Sequence, residues 1–162
     1  MGKRIFLSVF VAGLLILGIM GACLAGIEPV PWEPEINKLH SIELNVAAIQ
    51  KRLEKLDGTE PLPLPEGTLN YLNAMGNQLG ILDTRLADTL SLLPAFVLLD
   101  PETQDEVFLA LDAISADASG MMDIFSRIVE RMGVEPTPWH LILDSIIGRI
   151  GGYIRPSDTL PK

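Results

Sequence analysis

Apolar residues recur along this chain in alternating steps of three and four, the rhythm of helices that press one stripe against their neighbours. Leu39, Ile42, Val46, Ile49, Leu53 and Leu56 keep this spacing and predict a helix over 34–57, with Gly58 as its C-terminal cap. Leu72, Met75, Leu79, Leu82, Leu86, Leu90 and Leu93 predict a second helix over 68–92, which Pro94 should end or kink. Val107, Leu111, Ile114, Ala118, Met121, Phe125, Ile128 and Met132 predict a third, opened by Asp100 as N-cap and Pro101 at the first helical position. Phe108, Met122 and Val129 add a second column, so this face is wide enough for a bundle interior. The fourth helix should start with Thr137 as cap and Pro138 as first residue, and run to 154. It is apolar nearly all round, so it is either buried centrally or leaves an apolar patch exposed.

The breaks between these stripes are rich in proline and glycine. GIEPVPW at 26–32 returns as GVEPTPW at 133–139. In each copy a glycine stands where an apolar helix should stop, and two prolines then favour an extended path. The residues downstream of the two copies differ, EPEINKLH against HLILDSII, so the phrase marks two joints rather than a duplicated module. Each joint ends in a tryptophan, Trp32 or Trp139, large enough to anchor a contact.

Ahead of the first joint the chain reads MGKR and then an apolar run, with no acidic residue before Glu28. A basic start, an apolar run and small residues are the parts of a signal peptide. The run from Ile5 to Ala25 is also long enough to span a bilayer, with Lys3 and Arg4 on the cytoplasmic side. Met20-Gly21-Ala22-Cys23 resembles a bacterial lipobox, with Met where that pattern usually has Leu, and the resemblance implies lipidation at Cys23. The three readings are lipoprotein, uncleaved single-pass anchor and freely secreted product. All of them put the remainder outside the cytoplasm, and the tethered forms are the expectation.

Composition narrows the function. The chain carries a net charge of −9, and its two N-terminal cations belong to the apolar segment, so the rest is more acidic still. Such a surface repels phosphate backbones and excludes a nucleic-acid partner. With Cys23 the single cysteine, no intrachain disulfide or CxxC zinc pair can form. His40 and His140 open different helices, and the acidic residues are scattered rather than stacked on one helical face. No Glu-x-x-His pair, calcium loop, nucleophile elbow or phosphate-binding glycine loop occurs. The sequence therefore nominates no catalytic, cofactor-binding or metal-ligating residue. Met75, Met121 and Met132 sit on the stripes as core fillers rather than ligands. Gly148 and Gly152 could allow a tight helix crossing or simply fray the last helix.

These observations predict an all-α protein: an antiparallel bundle of about four helices behind an N-terminal export or anchor helix. The expected plan is a signal peptide or anchor over 1–26, a Pro-rich stalk over 27–33, a helical bundle over 34–154 and a flexible tail over 155–162. The expected role is non-enzymatic, as an interaction, scaffold or accessory subunit of the cell envelope. Its partners would be the membrane, through lipid or span, and another protein or a second copy, through the fourth helix. Trp32, Trp139, Ile142, Ile146 and Ile150 are the candidate contact residues. The alternative is a bundle that holds a lipid, pigment or haem, with the segment around Pro94 opening the cavity.

Overall fold

The computed structural model describes residues 32–58, 67–133 and 138–154. The apolar segment 1–26 with Cys23, most of the stalk 27–33, Thr137 and the tail 155–162 lie outside the described residues. The described elements belong to one compact unit that begins at Glu33. They are four α-helices: α1 (Glu33–Asp57), α2 (Thr68–Leu92), α3 (Pro101–Met132) and α4 (Trp139–Ile154), with a short 3-10 helix (Phe96–Leu98) between α2 and α3. No strand occurs among the described residues. No helix among them is long and apolar enough to cross a membrane.

Helix ends follow local chemistry. The Asp100 carboxylate accepts from the Thr103 N–H at 3.0 Å and from its hydroxyl at 2.6 Å, fastening the first turn of α3. These two hydrogen bonds hold the Asp100 carboxyl below the ordinary aspartate range. Gly133 closes α3 in the left-handed conformation, φ 61°, with its N–H on the Val129 carbonyl at 3.0 Å. Gly58 does place its N–H on the Glu54 carbonyl at 3.0 Å, but among the described residues the positive φ values belong to Gly67 and Gly133. Leu93, extended at ψ 144°, ends α2 as a residue before proline must.

The three-four stripes form the core. Leu39, Ile42, Val46, Ile49 and Leu53 of α1, and Leu72, Met75, Leu79, Leu82 and Leu86 of α2, are all buried. One position of the α2 stripe shifts: Leu90 is only half-buried and Thr89 is inside. The Thr89 hydroxyl donates to the Arg85 carbonyl one turn back at 2.8 Å, which lets it leave water. On α3 the stripe from Val107 to Ile128 is buried as expected, but it widens through Ala110 and Ile124. Phe108 stays exposed, and Met122 and Val129 are half-buried.

Consecutive helices reverse direction, yet the bundle is not antiparallel at every interface. Round the bundle the order is α1, α2, α4, α3, with α2 diagonal to α3 and α1 diagonal to α4. In α1 and α3 the first turns meet at His40 and Glu106 and the last turns at Asp57 and Arg127, so these neighbours run parallel. The same holds for α2 and α4, where Gly76 faces Trp139 and, further along both helices, Asp83 accepts from Ser145 and Arg149. The expected all-antiparallel arrangement is corrected at these two interfaces. The cause is that the molecule consists of two antiparallel hairpins, α1–α2 and α3–α4, laid side by side. The chain crosses the diagonal once, through 93–100, over one end of the bundle. Leu93 and Leu99 anchor that crossing in the core. The Tyr153 hydroxyl donates to the Pro94 carbonyl at 2.9 Å, and its ring meets Phe96 edge-on at 6.1 Å. Burial raises the Tyr153 phenol above its ordinary value.

Candidate binding surfaces

The five residues nominated as contacts divide by burial. Trp32 is half-buried and precedes α1, and Cys23 lies outside the described residues. Trp139 is 0% exposed, and Ile146 and Ile150 are buried with it, so none of these three can meet a partner. The nomination of these residues is corrected: the apolar fourth helix is apolar because it fills the bundle. Ile142 is half-buried against Gly80 of α2, and of the large apolar side chains on α4 it is Leu141 that is exposed, at 69%.

Trp139 has its own receiving site. Its ring stacks on Phe125 with centroids 4.8 Å apart and 17° between planes. α2 offers Gly76 against the ring, where an added Cβ would stand 2.9 Å from the indole nitrogen. The glycine is what allows the ring to lie against the α2 backbone. The indole N–H has no hydrogen-bond partner there. Gly148 and Gly152, in contrast, face open space, so the tight crossing considered for them is at Gly76 instead.

Four of the large exposed apolar side chains lie toward one end of the bundle, on the crossing and the first turns of α3. α4 has 16 residues and α3 has 32, and the pair meets at Phe125 with Trp139 and His140. Running antiparallel at ~1.5 Å per residue, α4 ends before it reaches the first turns of α3. Phe108 (44% exposed) and Leu109 (67%) are left uncovered there, close in sequence to Val97 (61%) and Leu98 (74%) on the crossing. The letters AFVLL alone do not assign this segment. Leu93 and Leu99 of the crossing point inward and Val97 and Leu98 outward, a division that periodicity over so short a run does not encode.

A second surface has no signal in the sequence. Two adjoining depressions of about 370 Å³ and about 260 Å³ run along the outer seam of α1 and α2 and share Arg85. Ile42 and Leu92 line the larger one, with Lys38 and Asp88; Asn45, Arg52 and Gln78 line the smaller. They arise because the stripe residues beneath point to the core and long polar residues rim the seam.

His40 is also placed where sequence could not put it. Its Nε2 lies 3.1 Å from Glu106 of α3 and its Nδ1 3.2 Å from Glu43. Glu106, then Glu43, hold its pKa above 6.5 against a smaller opposing effect of burial. Because the folded pKa is the higher one, this contact stabilises the fold below pH 6.5 and fades as pH rises through the folded value. Thermal unfolding of the native protein and of His40→Gln should therefore differ most below pH 6.5, while the two glutamates are ionised, and converge as pH rises through the folded value. A difference that grows with pH would contradict the bridge. His140 is exposed, edge-on to Phe125 at 5.3 Å. Among the described residues no three His, Cys, Asp or Glu side chains converge as metal ligands would.

No family model, curated protein or solved structure matches the chain. The described residues define its class by fold, an all-α protein of four helices.

Proposed function

We propose that this is a membrane-tethered, extracytoplasmic bundle that works by binding another envelope protein, as a scaffold or accessory subunit, and catalyses no reaction itself. The observation that carries the reading is the apolar end of the bundle: Val97 and Leu98 on the crossing and Phe108 and Leu109 on the first turns of α3 stand exposed where α4 stops short. A chain reversal is ordinarily polar, and clustered exposed apolar side chains mark contact surfaces. The basic start, the apolar run and the lipobox-like Met20–Cys23 segment support an envelope location, with the membrane as the second partner.

The test is the size of the native protein. Extracted from its own membranes in mild detergent, the full chain should migrate as a complex larger than its monomer. The pair Val97→Glu and Leu98→Glu, both at exposed positions, should release the monomer with helical content unchanged. A wild-type chain that is monomeric from the outset overturns the proposal.

A further inference from the structure

We infer that the α1–α2 seam is a binding site for a single-chain anionic amphiphile, a long-chain fatty acid, with its carboxylate held between Arg52 and Arg85. The site is independent of the protein-partner surface, since it has the opposite chemistry and lies on a different seam. The cations point to it. Arg127 and Arg131 are engaged by Asp57, Arg149 by Asp83, and Lys38 by Glu35 at 3.4 Å. Among the described residues the Arg85 guanidinium has no carboxylate or hydrogen-bond acceptor, and Arg52 reaches only the Gln78 amide oxygen, at 3.5 Å. In a chain of net charge −9 two arginines without carboxylates, lining one depression, are an unusual use of charge. A carboxylate ligand would supply the bidentate partner that a guanidinium fork prefers.

The two halves of the seam then take different parts of the ligand. The 260 Å³ half carries Arg52, Arg85, Asn45 and Gln78 and no acidic residue, so the anionic head belongs there. The 370 Å³ half carries Asp88, which repels a carboxylate, together with Ile42, Leu92 and the stem of Lys38, which suit an acyl tail. From Lys38 to Arg52 the seam extends ~21 Å along α1 at 1.5 Å per residue. That length accommodates one long acyl chain, and a groove one helix seam wide holds one chain rather than two. Taken together, the two depressions lie in the volume range of small-molecule sites.

Photolabelling of the full-length protein in neutral detergent micelles tests this. The probes are a diazirine-bearing hexadecanoic acid and a trimethylammonium amphiphile with the same tail. The acid should label the peptides that carry Ile42 and Leu92, and the cation should not. Arg85→Gln and, separately, Arg52→Gln should each lower labelling about tenfold, the loss of one charge-assisted pair, with the helical spectrum unchanged. An excess of unlabelled fatty acid should compete, and phosphatidylglycerol should compete far less. Equal labelling by the cationic probe, labelling spread over all helices, or indifference to both substitutions overturns the site. Equal competition by phosphatidylglycerol overturns the single-chain assignment.

Discussion

Gly76→Ala should destabilise the protein by about 1–2 kcal/mol, although alanine is the better helix former by up to about 1 kcal/mol. The added methyl would stand 2.9 Å from the Trp139 indole nitrogen and 3.3 Å from the neighbouring ring carbon. The ring cannot retreat, because Phe125 is stacked on it at 4.8 Å. The decisive comparison is made in a Trp139→Phe background. Phenylalanine lacks the fused benzo ring, so its smaller ring has room to shift away from the methyl, and it removes an N–H that has no partner. There Gly76→Ala should change sign and stabilise, by up to the helix-propensity difference of about 1 kcal/mol. Denaturant midpoints of the four proteins measure it. Trp139→Ala, which empties the site, should cost about 3–5 kcal/mol. If Gly76→Ala costs the same in both backgrounds, the two residues do not share a packing site.

Asp57→Ala should cost about 1–2 kcal/mol, a large effect for a side chain at a helix end. A carboxylate in the last turn of a helix ordinarily opposes the dipole, so its removal from α1 alone would be neutral or slightly favourable. Here it accepts from Arg127 Nε at 3.0 Å and Nη2 at 2.8 Å, and Arg131 Nη1 lies 3.4 Å away. Arg131 also donates to the Asp57 main-chain carbonyl at 2.6 Å. The Arg127 side chain is half in solvent, which keeps the value below that of a buried pair. In an Arg127→Ala, Arg131→Ala background the same Asp57→Ala change should have nearly no effect. Molar salt should shrink it in the native background. An undiminished loss in the double-alanine background would mean that Asp57 acts on α1 and not between helices.

The sequence carried the helices well because each one holds an unbroken stripe. Leu39 to Leu53 and Val107 to Ile128 had few alternative faces to bury. It carried the caps at Asp100 and Gly133 because those are written within a few neighbouring residues. It did not carry the order of helices round the bundle, since a stripe says that a helix faces others but not which. The contact between His40 and Glu106, 66 residues apart, depends on that order. Surfaces were the least legible. The apolar letters of α4 fit either a buried helix or an outer face, and Trp139, Ile146 and Ile150 are consumed by a core reached through Gly76. The seam between α1 and α2 contains no motif, only the side of two stripes with arginines left over.

The two parallel interfaces have a further consequence, for alignment. Contacts between the hairpins keep a nearly constant spacing along the chain: 66 residues at His40–Glu106, 70 at Asp57–Arg127, and 62 at Asp83–Ser145. Sliding one hairpin past the other by a single helical turn, ~5.4 Å, would undo all of these pairs together. The hairpins are thus held in one register by polar pairs spread along both seams.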